Sequence, residues 1–160
     1  MIKVLFVCLG NICRSPLAET LFLKHLEVHH LSSSFIVDSC GTASYHIGEL
    51  ADARTRKVAK DFGIEMPHRA RQFKEQDFDD FDYILVMDES NYKNLKNVNS
   101  AKAQKLMFLR SFEPNFKDLK EVPDPYYGDL KGFYEVHEII NNCTQSLLDY
   151  IKNRKNEEPN

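Results

Sequence analysis

Apolar positions change period along this chain, and the changes mark its elements. Ile2 to Val7 is apolar and largely β-branched apart from Lys3, the pattern of a strand buried on both faces. Leu17, Leu21, Phe22 and Leu26 then recur at helical spacing, and the Ser15-Pro16 pair is a good N-cap and first-turn residue, so a helix is predicted from about Ser15 to His29. Phe35-Ile36-Val37 reads as a second strand, followed by a loop with turn chemistry over Asp38–Thr42. Asp52 to Phe62 reads as a helix stopped by Gly63. Phe81 to Met87 is a third strand, and Asp88-Glu89-Ser90 opens another helix. Lys105 to Leu109 is a short fourth strand. Residues 111–131 carry three prolines and little periodicity, the mark of a long, functional loop. The last helix is predicted from about Gly132 to Asn153, with Phe133, Val136, Ile140, Cys143, Leu147 and Ile151 on one apolar stripe. Cys143 is therefore read as structural. Lys155 to Asn160 reads as a polar, frayed tail.

Strands alternating with helices imply an α/β fold, doubly wound, with a four-stranded parallel sheet flanked by helices. Residues 1–154 form one domain in this reading, and 155–160 the tail. Ligands in such folds sit beyond the carboxyl ends of the strands. Cys8 stands there, directly after the first strand.

The residues around Cys8 specify the chemistry. Gly10 and Asn11 tolerate positive φ, so the chain can turn sharply between strand and helix. The loop Leu9-Gly10-Asn11-Ile12-Cys13 then aims backbone N–H groups and a helix N-terminus at one spot, which makes an anion site. Such surroundings, with a nearby guanidinium, favour a thiolate at Cys8. Arg14 offers a planar fork matched to two phosphate oxygens. The Ser15 hydroxyl is close enough to donate to the Cys8 sulfur. A lone cysteine ending a strand is usually a small buried hydrophobe. The conjunction of strand, Gly-Asn loop, arginine and Ser-Pro helix start favours a phosphate-binding loop instead.

A cysteinyl-phosphate mechanism also needs a proton donor for the leaving oxygen. Asp124 is the candidate, held between Pro123 and Pro125 on a stiff backbone. Tyr126 and Tyr127 beside it can wall a cleft for a flat ring. A surface Pro-Asp-Pro turn is the plain alternative for this motif taken alone. Asp129 is a weaker competitor, because Gly128 places it less rigidly.

Composition narrows the partners. Hydrophobic content of 42% and charge of 28% are ordinary for a globular domain, and a net charge of −3 offers nothing to nucleic acid or an anionic membrane. No apolar run approaches the roughly 20 residues of a membrane helix, and no signal peptide opens the chain. The four cysteines at 8, 13, 40 and 143 are scattered, and their spacing with histidine suits no zinc site. A reactive Cys8 calls for a reducing compartment, so a cytoplasmic protein is expected, with no metal and no cofactor.

The chain resembles the low-molecular-weight protein tyrosine phosphatase family. Val4 to Glu19 is similar to its signature, and Asp124-Pro125-Tyr126-Tyr127-Gly128 to its acid loop. The likeness continues through Asp38-Ser39, His68-x-Ala70-Arg71-Gln72 and Phe81 to Asp88, in order along nearly the whole chain. The resemblance implies Cys8 as nucleophile, Arg14 as phosphate clamp and Asp124 as general acid and base. It implies that Asn11 braces the loop, helped by Ser15, Ser39 and His68, and that Leu9, Ile12, Tyr45, Tyr126 and Tyr127 line the substrate cleft. It further implies that Cys13 can form a disulfide with Cys8, shielding it from irreversible oxidation. The substrate would be a phosphotyrosine-containing protein or peptide, and the enzyme a monomer or weak homodimer. Position 45 is Tyr where the family commonly has Trp, a smaller aromatic wall, and His46 beside it reads equally as a contact to the substrate's flanks or as a solvated loop histidine. Ile12 matches the phosphotyrosine-type members.

Two other functions use a similar loop. A thiol-dependent arsenate reductase would need relay cysteines after the third strand, and Asp80 to Leu119 contains none. A phosphocarrier or other anion-binding module would have no use for Asp124.

Overall fold

The computed structural model describes residues 1–115, 118 and 120–157. Its elements run β1 (Ile2–Cys8), α1 (Arg14–Val28), β2 (Phe35–Gly41), α2 (Ala53–Asp61), α3 (Asp77–Asp80), β3 (Tyr83–Val86), α4 (Glu89–Val98), β4 (Leu106–Phe108) and α5 (Leu130–Glu157). Short 3-10 turns occupy Ser32–Ser34, Ser100–Lys105 and Leu109–Phe112.

All strand pairs are parallel, in the order β2-β1-β3-β4. Alternate residues of β1 feed opposite faces, as the two-residue period requires. Val4 and Phe6 pack with Leu17, Leu21 and Phe22 of α1 and with Ile140 and Leu147 of α5. Leu5 and Val7 pack on the other face with Phe78 of α3 and Leu95 of α4. Helices therefore cover both faces, which is why β1 reads as a continuous apolar run. β1 pairs with β2 on one side and with β3 on the other, so the chain that leads from β2 to β3 crosses back past β1. The chain order reverses at β1, and a crevice opens beyond its carboxyl end.

Several boundaries differ from the sequence pattern, each for a physical reason. β2 continues through Asp38–Gly41, which reads as a loop, because Leu5 to Cys8 of β1 pair with it residue by residue. A parallel partner on one side outweighs the turn preference of Asp-Ser-Cys-Gly. α1 begins at Arg14 with Cys13 at the N-cap, so Ser15 is not the cap; its hydroxyl is engaged elsewhere, as described below. α3 has too few residues for a periodic signal. α5 starts two residues before the expected Gly132 and continues to Glu157, into the expected tail. Extending an existing helix costs little once a long apolar stripe has docked it. Residues 158–160 of that tail lie outside the described residues. Of the Gly10-Asn11 pair, only Asn11 takes positive φ, at 57°.

Candidate active site

Cys8 ends β1 with its sulfur beneath the loop 9–13, and the loop's carbonyls are tied down on its outer side. Thr42 N–H donates to Cys8 O at 2.9 Å, Ala43 N–H to Leu9 O at 2.9 Å and Asp52 N–H to Ile12 O at 2.8 Å. Gly41 makes this docking possible: a Cβ there would lie 2.7 Å from Leu9 O and 3.1 Å from Asn11 N. The sequence shows Gly41 only as turn chemistry, so its place under the loop could not be read from it.

Asn11 is fully buried (0% exposed) and spends its whole amide. Its Nδ2 donates to Ser15 Oγ at 2.7 Å and Ser39 Oγ at 3.0 Å. Its Oδ1 accepts from Arg71 N–H at 3.0 Å and from His68 Nε2 at 2.8 Å. Two donors and two acceptor sites are thereby filled, and the left-handed backbone at Asn11 is held by four partners. Since Oδ1 can only accept, His68 carries a hydrogen on Nε2.

Ser15 Oγ has one proton and two takers. It lies 3.0 Å from Cys8 Sγ and 3.2 Å from Cys40 O, while already accepting from Asn11. A Cys8 thiol can donate to Ser15 and leave the hydroxyl proton on the Cys40 carbonyl. A Cys8 thiolate takes that proton's hydrogen bond instead. Ser15 N–H adds a second, longer contact to Cys8 Sγ at 3.4 Å.

Behind this network, His68 Nδ1 faces Glu19 Oε1 at 3.3 Å and Asp38 Oδ1 at 3.7 Å. Burial, with Asp38 adjacent, pushes Glu19 up to about 8. Burial pushes His68 down against the pull of Asp38. With its hydrogen on Nε2, a neutral His68 presents Nδ1 to Glu19 as an acceptor. Arg71 anchors the group through Asp38 Oδ2 at 2.9 Å and Asp77 Oδ2 at 3.0 Å. Among the described residues, Glu19, Asp38 and His68 form a group with metal-ligand atoms within 4.8 Å of one another. Arg71, paired with Asp38, already brings a positive charge to this group.

Arg14 is 2% exposed. Its Nη1 donates to Asp88 Oδ2 at 2.7 Å and to Val122 O at 3.0 Å. Its Nη2 reaches Asp124 Oδ2 at a looser 3.4 Å. Burial alone would weaken the positive charge, but Cys8, Asp88 and Asp124 outweigh it and raise the guanidinium's pKa. Asp88 is a site residue that sequence reasoning missed: it reads only as a helix opener. It does cap α4, accepting from Asn91 N–H at 2.8 Å with Oδ1, and uses Oδ2 for Arg14.

Asp124 also accepts from Tyr126 N–H at 3.1 Å through Oδ1. Its competitor Asp129 accepts from Gly132 N–H at 3.3 Å at the start of α5. Only Asp124 lines the cleft, a space of about 190 Å³ whose walls are Cys8, Leu9, Gly10, Ile12, Cys13, Arg14, Tyr45, His46, Asp124, Tyr126 and Tyr127. Tyr127 is 94% exposed and meets Tyr126 edge-on, with ring centroids 5.0 Å apart. His46 is tied to Glu49 Oε2 by its Nδ1 at 2.6 Å. Ser39 and His68 lie behind the loop, not in the cleft. Cys13 is a neutral thiol: burial first, then the negative neighbours Asp52, Cys8 and Asp124, push it up to about 12.

The chain matches known proteins over almost its whole length. The family model described as low molecular weight phosphotyrosine protein phosphatase matches residues 3–157. A Schizosaccharomyces pombe protein of that name is 42% identical over 155 residues, covering 95% of this chain and 94% of the relative. The Homo sapiens protein of that name is 43% identical over 151 residues, covering 92% and 94%. A crystal structure of protein tyrosine phosphatase from Entamoeba histolytica, with Hepes in its active site, superposes with a TM-score of 0.91 at 42% identity, covering 97% of this chain and 99% of that one. Among the described residues, no helix is long and apolar enough to cross a membrane. A parallel four-stranded sheet, a cysteine beneath a docked loop and a buried arginine beside two carboxylates thus come together in a chain that belongs to the low molecular weight phosphotyrosine protein phosphatase family.

Proposed function

We propose that this protein hydrolyses phosphotyrosine monoesters through a cysteinyl-phosphate at Cys8. One observation carries the reading: Arg14 and Asp124 meet in a cleft that Cys8 also lines and that Tyr45, Tyr126 and Tyr127 wall. The phosphate enters the loop and takes the Arg14 fork, displacing its long contact to Asp124. The Cys8 thiolate attacks phosphorus as the bond to the leaving phenolic oxygen breaks. Asp124 gives that oxygen its proton. In the second half, the Asp124 carboxylate takes a proton from water while the water oxygen attacks phosphorus. Cys8 then leaves as a thiolate that accepts the Ser15 hydroxyl proton as a hydrogen bond. Arg14, kept charged by Asp88, neutralises the equatorial oxygens throughout.

The tyrosine walls support an aromatic ester on a protein or peptide. Asn11, Ser15, Ser39 and His68 hold the loop in shape. The free thiols of Cys8, Cys13, Cys40 and Cys143 are consistent with work in a reducing, cytoplasmic setting. Cys40 and Cys143 are both 0% exposed, which leaves no surface thiol to serve an arsenate-reducing relay.

The test is pre-steady-state hydrolysis of para-nitrophenyl phosphate and a phosphotyrosine peptide. A burst of product equal to the enzyme is expected, and Cys8→Ser should abolish it. Turnover surviving in Cys8→Ser would exclude the covalent route.

A further inference from the structure

Arg54 stands in the first turn of α2, where the helix dipole disfavours a cation. The helix does not need it, since Asp52 already caps the terminus by accepting from Arg54 N–H at 2.8 Å. Its guanidinium is nevertheless fixed in place. Nε and Nη2 grip both oxygens of Asp52 at 3.0 and 2.9 Å, and Cζ lies 5.4 Å from the Tyr126 ring centre and 4.5 Å from that of Phe133.

Those contacts join the two halves of the site. Asp52 N–H donates to Ile12 O in the phosphate loop at 2.8 Å. Tyr126 N–H donates to Asp124 Oδ1 at 3.1 Å. Asp124 thus hangs between two anchors. On one side Val122 N–H binds Met87 O at 2.8 Å and Val122 O accepts from Arg14. On the other side the ring of Tyr126 rests on Arg54.

We propose that Arg54 is a positioning residue for the acid: through Tyr126 it holds Asp124 at the height of the leaving oxygen, measured from the phosphate loop itself. This rests on the reading of Asp124 as the proton donor. Arg54 touches no reacting atom. Its loss leaves phosphate binding at Arg14 intact and loosens only the carboxyl that meets the leaving group.

The experiment measures kcat/KM for a series of aryl phosphates of rising leaving-group pKa, in the unmodified enzyme, Arg54→Leu, Arg54→Lys, Tyr126→Leu, Asp124→Asn and the Arg54→Leu/Asp124→Asn pair. A misplaced acid leaves more charge on the leaving oxygen, so the plot should steepen in Arg54→Leu and in Tyr126→Leu. Losses of roughly 3- to 30-fold are expected for the poorest leaving groups, the range of one cation–π contact, with little loss for the best. Arg54→Lys, which keeps charge without the planar fork, should fall between. The double variant should be no steeper than Asp124→Asn alone. An equal loss for all substrates, with the slope unchanged in Arg54→Leu, overturns the proposal. If Arg54→Leu does not fold, the slopes of Arg54→Lys and Tyr126→Leu decide by the same criterion. An unchanged slope in Asp124→Asn would sink the acid assignment itself, a separate failure.

Discussion

Asp88 Oδ2 sits 2.7 Å from Nη1 of Arg14, across a sequence separation of 74 residues. The contact orients the guanidinium before any phosphate arrives. It leaves Nη2, with its longer 3.4 Å contact to Asp124, as the end that yields. Asp88→Asn keeps a good N-cap for α4 but removes the charge behind Arg14. We expect kcat/KM for aryl phosphates and the affinity for inorganic phosphate to fall together by about tenfold, the worth of one charge-assisted hydrogen bond. Phosphate inhibition at constant pH checks this. An unchanged inhibition constant would show that Asp88 serves only the helix.

Gly41 is held to glycine by space, not by φ, since it is an ordinary strand residue in β2. Gly41→Ala places a methyl 2.7 Å from Leu9 O, and backbone must give way. The expected cost is about 1–3 kcal/mol of stability, with the loop pushed toward the cleft. Denaturant unfolding gives the first quantity, and kcat/KM for para-nitrophenyl phosphate should drop by more than the loss of folded protein explains. Full activity per folded molecule would show that the loop tolerates the methyl.

Glu19 and His68 make folding depend on pH. A carboxyl at about 8 in the fold and 4.5 when unfolded binds more protons folded, so its contribution is full below 4.5 and is lost as pH rises to about 8. His68 is shifted down and contributes the opposite slope, but only below its ordinary 6.5. The net expectation is a loss of stability between about 6.5 and 8. Urea midpoints across this range should fall for the unmodified protein and stay flat in Glu19→Gln. Parallel lines for the two proteins would place the proton elsewhere.

Cys13 is too strongly held as a thiol to react first with peroxide. Peroxide should oxidise the Cys8 thiolate to a sulfenic acid, releasing hydroxide. The Cys13 thiol should then displace water to close a Cys8–Cys13 disulfide. Activity lost to a brief peroxide pulse should return with dithiothreitol, and return much less in Cys13→Ser. Equal recovery in both proteins would remove Cys13 from any protective role.

The local parts of this architecture were legible because their energies are local. Asn11 between Gly10 and Ile12 marks a left-handed turn through its own steric tolerance, and the 2-to-3.6 change in apolar period locates the change from β1 to α1. The boundaries at β2 and α5 were not legible, because a strand partner and a docked helix face outweigh the propensities of Asp38–Gly41 and of the polar end at 155–157. Asp88, Gly41 and Arg54 escaped notice for a related reason. Each satisfies an ordinary local role, as cap, turn or helix residue, and nothing in its neighbours in sequence shows the second partner.

The sequence by itself determined that a cysteine, an arginine and a helix start would surround an anion, since seven consecutive residues hold that geometry between a strand and a helix. It also narrowed the candidate acid to the segment around Asp124. Tertiary structure decided which carboxylate enters the cleft. Asp124 does so because Val122 is tied to Met87 just after β3 and Tyr126 lies against Arg54, while Asp129 is spent at the start of α5. Hydrogen-bonding direction is a property of two partners, and the second partner exists only once the chain has folded.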